Sequence, residues 1–217
     1  MIGLPKTTEF NKRIPKQKFY DNMENSTSIK KIFAEQVKLI YWKNKIATET
    51  MTLAPGNNVQ EIEVFEIQLN QPSFDENLLR QIDEIIPYHI LFLMEYQGRY
   101  QVWVGYKDSA NFGKKSFQIK SYYHTKWFDE NESPLRMEGL NIDAVYENFV
   151  RQIAGDKLIQ SDFEESLKES VDKEERRKAL QKKITALQSK IRKEKQLNKQ
   201  MEMNNELKKL RRELEGI

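Results

Sequence analysis

The chain has 217 residues, 38% hydrophobic and 32% charged, with a mean hydropathy of −0.78, which suits one domain carrying a solvated appendage. It contains no cysteine, which excludes disulfides, thiolate zinc sites and a cysteine nucleophile together. The longest apolar run, Ile90 to Met94, is far short of the roughly 20 residues a membrane span requires, and the first residues lack the apolar core of a secretory leader. A cytoplasmic protein without membrane contact is therefore expected.

The formal net charge of +3 conceals a segregation. Residues 1–45 hold ten Lys/Arg against four Asp/Glu, residues 46–155 nine against sixteen, and residues 156–175 three against eight. From Arg176 to Arg212 there are fourteen cations and three acids. Such a basic arm attracts either an acidic protein surface or a polyanion.

In chain order, the first 25 residues read as extended and irregular, because Pro5 and Pro15 push their neighbours out of the helical region. Ile29, Ile32, Phe33, Val37 and Ile40 recur at helical spacing and predict a helix over about 27–44. Pro55 to Asn58 is a turn cluster, and Ile62, Val64, Phe65, Ile67 and Leu69 form a β-prone run. Ser73 and Glu76 have capping-box spacing ahead of the stripe Leu78, Leu79, Ile82, Ile85 and Ile86, which Pro87 ends. His89 to Tyr96 and Tyr100 to Tyr106 flank Gly98 and predict a hairpin whose apolar first strand is central. A third strand is expected over 116–123. Between Gly139 and Gly155 the stripe Ile142, Val145, Tyr146, Phe149, Val150 and Ile153 predicts a last domain helix.

Beyond about residue 172 the composition turns to Lys, Glu, Leu, Gln and Arg. Leu180, Ile184, Leu187 and Ile191 follow 4-3-4 spacing, as do Met203, Leu207, Leu210 and Leu214, and both sets are heptad seams. Leu187 to Met203 is two residues more than two heptads, so the polar stretch 193–200 marks a stutter, a bend or the turn of a helical hairpin. A helix of this kind needs an apolar mate, since propensity alone stabilises it little. That mate is a second copy, another protein's helix, or its own other half.

No constellation for catalysis stands out. His89 and His124 sit at strand ends with no acid–base or metal-ligand spacing around them. Glu61, Glu63 and Glu66 on one strand raise a metal-dependent nuclease, but the lysine such a site needs is missing, and glutamates facing water are the plainer reading. No phosphate-binding Gly-rich loop and no serine nucleophile motif occur. Neither a metal nor a cofactor is expected. Lys16, Trp42, Lys43 and Lys45 combine cations with an aromatic, a pattern that can engage nucleic acid. Lys182, Lys183, Lys190, Arg192 and Lys193 on the C-terminal helix can do so electrostatically.

Several segments resemble a prokaryotic family, the domain-of-unknown-function family numbered 4391. They are Ile14-Pro15-Lys16 with Phe19, Ile40 to Lys45, Glu61 to Ile67, Ile82 to Pro87 leading into Ile90, and Gly105-Tyr106-Lys107. The likeness runs over about residues 3–155 and does not obviously include the C-terminal coil. Its members tend to be encoded beside helicases and DNA methyltransferases, in islands resembling restriction or antiphage defence systems. The resemblance implies a context and no catalytic residues.

The expectation is therefore an α+β domain over 1–155, with a mixed sheet of about four strands and helices on one side. An acidic connector over 156–171 and a basic coiled-coil helix or helical hairpin over 172–217 follow. The expected role is a non-catalytic accessory subunit of a DNA-targeting complex, docking a helicase, translocase or methyltransferase subunit through Leu180, Ile184, Leu187, Ile191, Met203, Leu207, Leu210 and Leu214. A stand-alone nucleic-acid-binding module is the alternative, and a divergent nuclease comes third.

Overall fold

A computed structural model describes residues 3–22, 27–108, 118–158 and 165–217, which fall into two compact units, residues 1–156 and 157–217. In the first unit the order is β1 (Glu9–Ile14), α1 (Gln17–Tyr20), α2 (Thr27–Gln36), β2 (Val37–Ile46), β3 (Ile62–Leu69), α3 (Glu76–Ile85), β4 (His89–Tyr96), β5 (Arg99–Asp108), β6 (Gln118–His124), β7 (Phe128–Asp129) and α4 (Ile142–Ala154). All seven strands form one mixed sheet, in the order β1-β2-β3-β4-β5-β6, with β7 added to β5. Among the described strands only β3 and β4 pair in parallel, and α3 is the crossover between them.

The sheet thus has seven strands, not about four. One added strand comes from the span read as the end of a helix. α2 stops at Gln36, and Val37 to Ile46 pairs along its length with β3, from Val37 opposite Leu69 to Ile46 opposite Ile62. Helical spacing at Val37 and Ile40 also fits a strand carrying a bulge between Val37 and Leu39, and pairing on both sides decided between the two. β1, inside the segment read as irregular, supplies the outer partner.

Helices cover both faces, not one. Phe65 and Ile67 of β3 and Ile90, Phe92 and Met94 of β4 pack with Phe19, Phe33, Leu78, Leu79 and Ile82 from α1, α2 and α3. Residues of opposite parity meet α4, where the His89 ring lies edge-on to Tyr146, with centroids 4.4 Å apart. Local signals held elsewhere. Gln97 and Gly98 both have positive φ (51° and 79°), the conformation a two-residue hairpin turn needs. α3 ends at Ile85, just ahead of Pro87, but its N-cap is Asp75, which accepts from the amide of Asn77, in place of the expected Ser73. At α4, the Asp143 carboxylate accepts from the amides of Asn57, Asn58 and Val59, tying down the turn cluster.

In the second unit α5 (Leu167–Lys193) and α6 (Leu197–Glu215) form a helical pair. α5 begins inside the span read as connector, on a capping box between Ser166 and Glu169. No helix among the described residues is long and apolar enough to cross a membrane.

Candidate nucleic-acid interface

The two groups of cations singled out in the sequence have different fates. Lys16, Trp42, Lys43 and Lys45 are all engaged within the first unit. The Lys16 ammonium donates to the carbonyl of Val37, at the junction of α2 and β2. Trp42 stacks on Phe10 at 4.5 Å, meets Phe65 edge-on, and donates from Nε1 to the Asn44 carbonyl. Lys43 lies 3.3 Å from Glu66, and Lys45 lies 2.5 Å from Glu49 and 2.8 Å from Glu61. Hydrogen bonds to Glu49 and Glu61 hold the Lys45 ammonium above the usual lysine range. An ammonium already matched by carboxylates, as those of Lys43 and Lys45 are, has little left for a phosphate.

The same pairs correct the picture of strand glutamates facing water. Glu63 and Glu66 are both buried. Burial, with the Glu61 charge adding to it, pushes the Glu63 carboxyl up to about 8. A cavity of about 300 Å³ opens beside Lys43 and Asn44, but the cation on its wall is the one held by Glu66. Among the described residues no group of three or more His, Asp or Glu is placed to hold a metal ion.

A second polar cluster, invisible to spacing arguments, lies in the core where α3 ends. Asp83 and Lys107 side chains are each 1% exposed and 3.0 Å apart. Lys107 Nζ also donates to the carbonyls of Asp83, Ile86 and Tyr88, and the Tyr122 hydroxyl donates to the other Asp83 oxygen at 2.5 Å. Burial raises the Asp83 carboxyl and lowers the Lys107 ammonium, against their mutual attraction. The ammonium occupies the carbonyl-rich, negative end of α3 and fixes that helix to β5. Burial followed by the Lys107 charge pushes the nearby His89 down to about 3, so it is neutral. His124 stacks on Trp103 at 4.3 Å, and Gln101 bridges it to the Thr125 carbonyl. The segments carrying the family resemblance meet here and at β2–β3: Asp83, Gly105 and Lys107 in one cluster, Trp42, Lys45 and Glu61 in the other.

The C-terminal pair is built differently. Arg176 lies 2.7 Å from Glu213, and Gln200 near the start of α6 donates to the carbonyls of Ile191 and Glu194 at the end of α5. These contacts fix an antiparallel hairpin, with the turn at 194–196. The Glu194 carboxylate accepts from the amides of Lys195 and Gln196 within the turn, which holds that carboxyl below its usual range. Leu180, Ile184 and Leu207 are buried, while Leu187, Ile191, Met203, Leu210 and Leu214 are half-buried. Of the three mates open to the seam, the structure uses the chain's own other half.

With the leucines turned inward, the cations face out. Lys182, Lys183, Lys190, Arg192 and Lys193 on α5 are exposed, as are Lys208, Lys209, Arg211 and Arg212 on α6. None of these nine forms an ion pair among the described residues; the cations of the hairpin that do are Lys173, Arg176, Arg177 and Lys178, at the start of α5. α5 alone spans about 40 Å at 1.5 Å per residue, so the unpaired charge is spread along a rod. The exposed acids Glu202, Glu206, Glu213 and Glu215 are interleaved on α6, whereas residues 182–193 of α5 carry none, and charge so displayed is what a polyanion's phosphates can neutralise.

The model of the family described as "Domain of unknown function (DUF4391)" matches residues 2–214, so the hairpin lies within the family's span together with the sheet domain. No curated protein and no solved structure matches the chain.

Proposed function

Because the chain belongs to the DUF4391 family, whose function is unknown, we propose from its own surfaces that it is a non-catalytic, nucleic-acid-engaging accessory subunit of a prokaryotic DNA-targeting complex. The observation that carries this reading is the set of nine exposed hairpin cations without ion-pair partners among the described residues. A solvated helix face would interleave acids with its lysines, whereas from Lys182 to Lys193 on α5 no acid occurs at all. The sheet domain acts as the rigid carrier, and its buried lysines take no part. Assembly with a helicase, translocase or methyltransferase subunit, which the family resemblance implies, would then use surfaces other than the leucine seam, because that seam is largely closed on itself.

The test is a fluorescence-anisotropy titration of the whole protein against a short labelled duplex at several salt concentrations. Engagement of about four phosphates gives a slope of about −4 in log K against log salt. Replacing Lys182, Lys183, Lys190 and Lys193 with Glu should abolish binding while leaving the far-ultraviolet spectrum unchanged. No binding at low salt, or a slope shallower than about −1, refutes the reading.

A further inference from the structure

α6 carries one exposed stripe that its cations alone do not explain. Leu197, Met201, Asn204, Lys208 and Arg211 recur at 4-3-4-3 spacing and so share one side of the helix, distinct from the seam at Met203, Leu207 and Leu210. All five are exposed, with Leu197 at 69% and Met201 at 59%. Glu202, Glu206 and Glu213 lie on the other flank of α6, and the one acid in line with the stripe is Glu215, the next position beyond Arg211 at the end of the helix. Its apolar end adjoins the hairpin turn, between Lys193 and Lys195 on one side and Lys199 on the other. The turn is braced twice, by Gln200 on the carbonyls of Ile191 and Glu194 and by the Glu194 carboxylate on the amides of Lys195 and Gln196. Leu197 and Met201 therefore stand on a rigid point, where leaving two large apolar side chains in water brings the isolated protein no gain.

Three kinds of occupant could cover such a point, and the chemistry favours one. A protein interface of ordinary size buries about 800 Å² per partner around an apolar centre, and two side chains ringed by lysines offer no such centre. A lipid surface requires an apolar face opposite the cations, but here apolar, amide and cationic groups share a single stripe. A nucleic-acid duplex accepts all of them. Lysine and arginine pair with phosphates, asparagine hydrogen-bonds base edges, and one or two apolar side chains wedge between base steps and unstack them.

We infer that the α6 stripe is the duplex-contacting face of the hairpin, and that Leu197 and Met201 form an apolar wedge that opens a base step. This rests on the nucleic-acid reading above and adds a mode of contact to it. From Leu197 to Arg211 the stripe runs about 21 Å, less than the pitch of one DNA turn, so one hairpin can follow a single groove segment.

The experiment uses the whole protein and a short duplex with 2-aminopurine at a TA step, a base whose fluorescence rises when it unstacks. Wild-type protein should raise the signal at saturation. Leu197→Ala with Met201→Ala should lose at least about half of that rise while Kd changes less than about threefold, because the phosphate contacts remain. Lys208→Glu with Arg211→Glu should weaken binding about tenfold or more. Steep salt-dependent binding with no fluorescence rise, or a rise that survives the double alanine substitution, overturns the wedge and leaves the polyanion reading intact. An affinity unchanged in the double glutamate variant overturns the stripe. Failure to bind the duplex at low salt removes both readings together, and binding to anionic phosphatidylserine vesicles in its place assigns the stripe to a lipid surface.

Discussion

Lys107→Met tests whether the buried Asp83–Lys107 pair is the fastening between α3 and the sheet. Methionine retains most of the side-chain volume but removes the ammonium from the Asp83 carboxylate and from three carbonyls. Asp83, 1% exposed, then keeps only the Tyr122 hydroxyl. A carboxylate so placed takes up a proton in preference to remaining charged without a counter-ion. Relative to an unfolded carboxyl at its ordinary value of 3.8, that uptake costs about 1.4 kcal/mol per pH unit, or about 4 kcal/mol at pH 7. Relief from desolvating the ammonium offsets part, and the lost carbonyl bonds add about as much back, so the net loss is about 3–4 kcal/mol, in line with breaking a buried pair by removing one partner. The sign of the pH dependence follows. With its folded pKa raised above the unfolded value, Asp83 takes away stability as pH rises; burial raises it in the wild type too and loss of the Lys107 charge raises it further, so the deficit shrinks by at most about 2–3 kcal/mol on going from pH 7 to pH 5. Urea unfolding followed by tryptophan fluorescence reads the sheet domain selectively, because Trp42, Trp103 and Trp127 all belong to it. A deficit below about 1 kcal/mol at pH 7, or one equal at both pH values, would refute the ionised fastening.

Gly105→Ala should cost about 1–3 kcal/mol in the same assay, because a Cβ there would lie 2.8 Å from both Asp83 Oδ2 and the Tyr122 ring; a neutral effect would mean the cluster has room to give. Glu63→Gln should gain stability over wild type as pH rises from about 4.5 to about 8, since the buried carboxyl must ionise across that window; thermal melts at pH 5 and pH 8 check it, and a constant difference contradicts it. Ile184→Asp with Leu207→Asp places two carboxylates at the closed seam, so far-ultraviolet circular dichroism should lose much of the hairpin's helix while tryptophan-monitored unfolding of the sheet domain stays within about 0.5 kcal/mol.

Much of this molecule is settled by short-range pattern. The Gln97–Gly98 turn, the stop before Pro87, the Gly155 end of α4 and the apolar centre of β4 each follow from local backbone preferences that no neighbour needs to supply. The double heptad seam and its phase break likewise placed the hairpin's parts, because spacing along a helix is a local property. What the chain order could not decide was every question with two locally acceptable answers. Val37 and Ile40 satisfy a helix and a bulged strand alike, and only pairing with β1 and β3 chose the strand. Lysines at 16, 43, 45 and 107 look the same on paper as those at 182, 183 and 208. Carboxylates brought in from distant segments engage Lys43, Lys45 and Lys107, and the Val37 carbonyl engages Lys16, while a seam folded on itself turns the second group toward solvent. Charge is written in the sequence, but whether a charge is already neutralised depends on what the fold places within a few ångströms of it.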